Sequence, residues 1–346
     1  MRRIACALFA LVALAAPASA SAKPKSVPFG RAVTIASWGP TAYEPAKVAA
    51  KLRNLKKRQH VDTITLIVVW NQPNSTSVDI APGPEAEPDA NVVAAIRAAR
   101  RLHMRVILRP YIDPLDGVWR GQIQPTSVSA WFKSYNAFIL HYATIAQKQH
   151  ADGFVVGSEL ATMAKQASQW RSLIRRVRSR FSGFLTYQAN WGGEETNVTW
   201  WDALDAISIS AYYPIAAAPG ASVDTLVAGW FHLIDRDRGE HRWFATIEYL
   251  HNRYDRPVMF GEIGYRPVPE AAIQPWNVEL TGSDPSVQAN AYDAAFRVWY
   301  RVPWFRGMSW WYVAPDQSLV AGRPGELHQP GPAALRVLAR WYAKKP

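Results

Sequence analysis

The sequence predicts an α/β protein, a single (β/α)8 TIM barrel, and three observations carry that prediction. Strand-like and helix-like segments alternate eight times, most of the strand-like runs are continuously apolar, and no break in composition marks off a second domain. Continuous apolar runs suit parallel strands covered on both faces, and alternation with helices is what parallel pairing requires. Eight such units point to a closed barrel, a fold of about 250 residues that grows by loop insertion. The rival, an open doubly wound sheet, advertises a glycine-rich turn after its first strand. Here that turn reads Ser37-Trp38-Gly39-Pro40-Thr41, and no GxGxxG or Walker loop occurs anywhere.

Taken in order, the first 22 residues stand apart. Arg2 and Arg3 lead an apolar run over 4–16, and small residues follow at Ala18-Ser19-Ala20 and Ala20-Ser21-Ala22, the pattern of a secretory signal. The run is shorter than the roughly 20 residues of a membrane span. The expected organisation is therefore a signal over 1–22, a spacer over 23–32 and one catalytic barrel over 33–346. The product is secreted or periplasmic, a monomer, with no membrane attachment after signal removal. The single cysteine, Cys6, leaves with the signal, so stability rests on core burial rather than disulfides.

Strands are expected at 33–38, 63–70, 105–111, 153–157, 184–189, 206–212, 257–262 and 307–312, each rich in β-branched and aromatic residues. Helical periodicity marks 45–59, 91–103, 128–150, 164–180, 199–204, 223–254, 285–300 and 333–343. The net charge of +12, or +10 without Arg2 and Arg3, raises the question of a nucleic-acid partner. Its clearest clusters, Lys51 to Arg58 and Arg171 to Arg180, alternate with apolar residues on helices, as solvated outer faces do. No nucleic-acid partner is expected.

In this fold chemistry gathers at the C-terminal strand ends. Those ends present Trp38; Trp70 and Asn71; Arg109; Ser158 and Glu159; Asn190 and Trp191; Tyr212 and Tyr213; Glu262; and Trp310 and Trp311. Glu159 closes the fourth strand and Glu262 the seventh, on facing walls of one pocket. A glutamate at the end of a buried strand needs either a catalytic task or a specific partner such as Arg109. Two of them in an aromatic ring suit glycoside hydrolysis, in which one carboxyl donates a proton and the other acts as an anion. Aromatic faces pack against the apolar C–H faces of sugars, which gives the 16 tryptophans a second use besides core packing.

Other carboxylates read differently. Asp62, Asp152 and Asp205 precede strands and fall on the stability face. Glu194 and Glu195 sit in a Gly-rich loop and are expected to be solvated, and Asp113 and Asp116 read as turn residues. There is no HExxH, CxxC or GxSxG, no strand ends in a Schiff-base lysine, and histidines such as His103, His141 and His232 are scattered on helices. No metal or organic cofactor is implied.

The segments LRPYID, DGVWRGQI, WFKSYNAFILHYA, ADGFVVGSEL, SISAYYP and PVMFGEIGY, followed by a PW and by DPSVQANAYDA, resemble glycoside hydrolase family 113, a family mainly of β-mannanases within the retaining clan A. The likeness runs from the first strand to the eighth. It implies Glu159 as acid/base and Glu262 as nucleophile. It assigns the strand-six tyrosine that hydrogen-bonds the nucleophile to Tyr213, with Tyr212 as its neighbour, and the sugar platform to Trp311, or to Trp310 if the register slips. Arg109, Trp119 and Arg120 would line one side of the mouth, with Asn190 and Trp191 opposite. The clan's asparagine before the acid/base is replaced here by Ser158, whose contact with a sugar 2-hydroxyl is lost, water-mediated or suited to an axial hydroxyl. The implied activity is a retaining endo-β-1,4-mannanase working on a polysaccharide or oligosaccharide through carboxyls about 5–5.5 Å apart. The alternatives are another β-glycan or exopolysaccharide as substrate, or a non-catalytic carbohydrate-binding barrel.

Overall fold

The computed structural model describes residues 24–346 apart from 37, 38, 40, 236, 237 and 316–327. The expected signal and Trp38 therefore lie outside the described residues. Eight parallel strands close into a barrel: β1 (Gly30–Ile35), β2 (Thr63–Gln72), β3 (Arg105–Pro114), β4 (Gly153–Ser158), β5 (Phe184–Asn190), β6 (Ala206–Ser210), β9 (Val258–Ile263) and β10 (Phe305–Val313). The seventh and eighth barrel strands are numbered β9 and β10 because an antiparallel hairpin, β7 (Leu233–Asp235) and β8 (Gly239–His241), intervenes.

The outer layer comprises α1 (Pro45–Gln59), α2 (Asp89–Arg101), α3 (Val128–Lys148), α4 (Ala167–Arg178), the one-turn α5 (Glu194–Asn197), α6 (Val223–Phe231), α7 (Trp243–Tyr254), α8 (Pro285–Trp299) and α9 (Pro332–Tyr342). The single helix expected over 223–254 is in fact α6, the hairpin and α7. Its middle is polar, Asp235 accepts from the Arg238 backbone N–H at 3.2 Å, and Gly239 takes φ 84, which together turn the chain instead of continuing a helix. Seven tryptophans, Trp131, Trp170, Trp200, Trp201, Trp230, Trp299 and Trp310, are fully buried in the layer between sheet and helices.

The barrel interior is tiered. An apolar plug of Ile107, Val155, Phe184, Ala206 and Met259 fills one level. A polar layer is satisfied internally: Ser309 Oγ hydrogen-bonds Thr34 and Thr65 at 2.9 and 3.0 Å, and Gln188 links Ser208 and Ser210 at 2.7 and 3.0 Å. An aromatic level of Tyr111, Tyr212, Trp311 and Tyr312 underlies the open end. Gly261 belongs to this packing, since a Cβ there would lie 1.8 Å from Gln188 Oε1; only glycine fits immediately before Glu262.

The opposite face carries the leading aspartates as expected. Asp62 accepts from the Arg31 backbone N–H at 3.0 Å and from the Arg105 guanidinium, Asp152 from Val106 N–H at 2.9 Å, and Asp205 from Leu185 N–H at 2.7 Å.

Candidate active site

A cleft of about 630 Å³ opens at the C-terminal strand ends, lined by Trp119, Glu159, Asn190, Trp191, Gly192, Tyr212, Glu262, Trp276, Val278, Trp311 and His328. Both glutamates picked out by strand position thus face one space.

Glu262 sits near the end of β9 and receives three donors. Arg109 Nη2 lies 2.7 Å and Tyr111 Oη 2.9 Å from its Oε2, and Tyr212 Oη lies 2.7 Å from Oε1. Arg109 is fully buried beneath the cleft and also reaches Ser158 Oγ at 3.1 Å. Burial holds the hydroxyls of Tyr111 and Tyr212 well above the usual tyrosine range, so both remain donors. A carboxylate held by three donors is fixed in direction and matched to an anionic role.

Glu159 follows β4 in a left-handed backbone conformation, φ 53. Its Oε2 accepts from Arg120 Nη1 at 2.9 Å, and Arg120 also binds Asp113. Burial, and after it the nearby charge of Glu262, raise the Glu159 carboxyl above the ordinary value; Arg120 and Arg109 oppose this without cancelling it. The arrangement pairs a carboxyl that holds its proton to higher pH than an ordinary glutamate with one ringed by three hydrogen-bond donors. Tyr111 lies between the two halves, its ring 4.6 Å from the Arg109 guanidinium and 4.1 Å from that of Arg120.

The tyrosine expected to hold Glu262 was Tyr213, and the structure corrects this by one residue. Tyr213 Oη bonds Glu195 at 3.1 Å behind the cleft, and Tyr212 takes the Glu262 contact. Trp311 lines the cleft, whereas Trp310 is fully buried against Tyr292, with ring centroids 3.6 Å apart. Trp70 is not a cleft residue either: it faces α3, packing on Phe138 and donating to Tyr142 Oη at 3.0 Å. Ile67 and Val69 occupy the interior of β2, so strand alternation turns residue 70 outward. Asn71 braces a loop by donating to the Asp113 carbonyl at 3.0 Å, and Ser158 serves Arg109 rather than the cleft wall. Trp119 is 41% exposed at the rim, and Asn190 and Trp191 form the opposite wall as expected.

Glu194 and Glu195 are buried, against the expectation of solvation. Glu194 accepts from Tyr187 Oη and from Asn190 N–H, the latter at 2.7 Å, and Glu195 accepts from Tyr213 and from Gly193 N–H at 2.7 Å. The residues that sequence reasoning missed are Tyr111, Trp276, Val278 and His328. Tyr111 lies two residues beyond Arg109 on the same strand, a period-two signal that was readable. Trp276 packs at a tilt against Trp191, ring centroids 4.7 Å apart, from a long loop without periodicity. His328, whose ring is buried beside Tyr212, is pushed down to about 4 by burial and is therefore neutral at pH 7, and its Nδ1 finds no partner among the described residues. Among the described residues no group of three or more His, Cys, Asp and Glu could hold a metal ion, and no helix is long and apolar enough to cross a membrane.

Known proteins bear on this geometry. No curated protein sequence matches the chain. Among solved structures, a GH113 β-1,4-mannanase is 25% identical with a TM-score of 0.78, over 92% of this chain and 100% of its own. The GH113 β-mannanase of Alicyclobacillus acidocaldarius, in complex with ManMIm, is 28% identical with a TM-score of 0.76, over 92% and 98%. A β-glucuronidase of Ruminococcus gnavus shares the fold alone, at 11% identity and a TM-score of 0.61, over 92% of this chain and 50% of its own. The model of Glycoside Hydrolase Family 113 matches residues 36–318. With that match spanning nearly the whole barrel and both cleft glutamates, the chain belongs to glycoside hydrolase family 113 and is a glycoside hydrolase.

Proposed function

We propose that the protein is a retaining endo-β-1,4-mannanase in which Glu262 is the nucleophile and Glu159 the acid/base. The observation that carries this reading is the unlike treatment of two carboxyls in one aromatic cleft: three donors on Glu262, a raised proton affinity on Glu159. In the first step Glu262 attacks the anomeric carbon while Glu159 protonates the departing glycosidic oxygen, leaving a glycosyl ester. In the second, Glu159 takes a proton from water, which attacks the same carbon and releases Glu262. Mannan as substrate is supported by the likeness to two GH113 β-mannanases.

The test is reducing-end release from galactomannan, glucomannan, xylan and β-glucans, with proton NMR of the first-formed anomer. Preferential cleavage of mannans with a β-configured first product is expected. An α-configured first product would overturn retention, and preference for another polymer would replace mannan as the substrate.

The reading includes export and a monomeric enzyme. Amino-terminal sequencing of the mature protein should begin at Ser21 or Lys23, just past one of the two small-residue sites, and gel filtration should give one chain per particle.

Adjacent tryptophans supply a separate check. Trp311→Ala should raise KM on manno-oligosaccharides about tenfold, the worth of one aromatic contact, and lower the melting temperature as well, since the ring is only 9% exposed. Trp310→Ala should destabilise the fold by about 3–5 kcal/mol, as other large-to-small core changes do. Steady-state kinetics and thermal melts on both variants separate platform from packing.

A further inference from the structure

We propose that Glu194 is a positioning residue for Glu159, acting through the hydroxyl of Tyr187. The inference rests on the reading of Glu159 as acid/base and adds a residue that this chemistry does not itself require.

The argument starts from the backbone of Glu159. At φ 53 a residue with a side chain is sterically disfavoured, so its surroundings must hold it there. Two consecutive amides do so. Glu159 N–H donates to the Gln188 carbonyl at 2.8 Å, and Leu160 N–H donates to Tyr187 Oη at 2.9 Å. The second grip depends on where that hydroxyl points, and its own proton is committed to Glu194. The Tyr187 ring cannot swing away, because Trp170 and Trp200 pack against it at 5.2 and 4.9 Å. The other oxygen of Glu194 accepts from Asn190 N–H at 2.7 Å, and Asn190 lines the cleft. One buried carboxyl therefore ties the turn that aims the acid/base to the wall facing the substrate. Burial pushes Glu194 up to about 8, and a carboxyl so costly to bury is accounted for by the two donors it collects.

The experiment compares kcat/KM on mannohexaose, whose leaving group needs a proton, with kcat/KM on a 2,4-dinitrophenyl β-mannoside, whose leaving group does not. Tyr187→Phe should lower the first about tenfold, as loss of one hydrogen bond would, and leave the second within about twofold. Glu194→Gln, which keeps one acceptor oxygen, should fall between wild type and Glu194→Ala on mannohexaose. In a Glu159→Ala background, Tyr187→Phe should add no further loss on either substrate. Equal losses on both substrates, or full additivity with Glu159→Ala, would overturn the inference and leave Glu194 a purely structural brace. If Glu159→Ala itself shows no contrast between the substrates, the acid/base assignment fails and takes this inference with it. Should Tyr187→Phe not fold, Glu194→Gln measured on both substrates decides alone: a loss confined to mannohexaose supports the inference and equal losses overturn it.

Discussion

Glu262→Gln is expected to cut turnover of every β-mannan substrate by about 10⁴-fold or more, because the other carboxyl among the described cleft residues, Glu159, is the proposed acid/base. The glutamine keeps the shape, and its single amide oxygen can still accept from Arg109 and Tyr111, which reach Oε2 at 2.7 and 2.9 Å, while its NH2 group would face Tyr212 Oη in place of Oε1. Alanine is the less informative choice. Both variants remove the counter-charge of the buried Arg109 guanidinium, but alanine also removes the oxygen it donates to, and breaking a buried pair outright costs about 3–5 kcal/mol. Thermal melts should therefore place Glu262→Gln below wild type and Glu262→Ala lower still, while both are inactive. A glutamine variant retaining more than a few per cent of wild-type kcat would remove Glu262 from the nucleophile's role.

The second large effect is selective rather than uniform. Glu159→Gln should lower kcat/KM on manno-oligosaccharides by about 10²- to 10⁴-fold while sparing substrates with activated aryl leaving groups. Its pH dependence follows from the charges around it. Burial and the charge of Glu262 raise the Glu159 carboxyl, so the proton needed for leaving-group departure is retained to higher pH than an ordinary glutamate allows. Activity on poor leaving groups should fall as pH rises through that raised value, and the alkaline limb should vanish in Glu159→Gln. Arg120 opposes the rise, so Arg120→Gln should move the limb to higher pH. On the proposed retaining mechanism the same electrostatics would account for an exchange of roles between the two steps. With Glu262 esterified its charge would be gone, and Glu159 would lose that contribution to its proton affinity at the step where the proposal has it act as a base. Profiles of kcat/KM against pH on both substrate types check each point.

The barrel was legible because each strand is buried on both faces and writes a continuous apolar run. Glu159 and Glu262 were legible because a carboxylate ending such a run has no solvent to justify it. Facing was harder. The sixth run reads as a strand through Tyr212, but β6 ends at Ser210, so alternation could not say which tyrosine turns toward Glu262. Trp70 was recoverable, since counting by two from Ile67 puts it outside. Glu194 and Glu195 were read as solvated because their loop is polar; what buries them is the pair of hydroxyls from Tyr187 and Tyr213, which no local pattern announces. Trp276 and His328 reach the cleft from long connections where periodicity carries no signal.

At the other end of the barrel the three leading aspartates have an architectural consequence. Asp62 fastens β2 to β1, Asp152 fastens β4 to β3, and Asp205 fastens β6 to β5, each by accepting a backbone N–H of the preceding strand. The first six strands are thereby stitched as three two-strand modules, and the Arg105 guanidinium of β3, donating to Asp62, adds a further tie across the seam between the first two. The boundary between β4 and β5 is where the chain can be cut and rejoined without severing an aspartate stitch. Loops at the cleft end can be exchanged module by module while the stitches below stay intact.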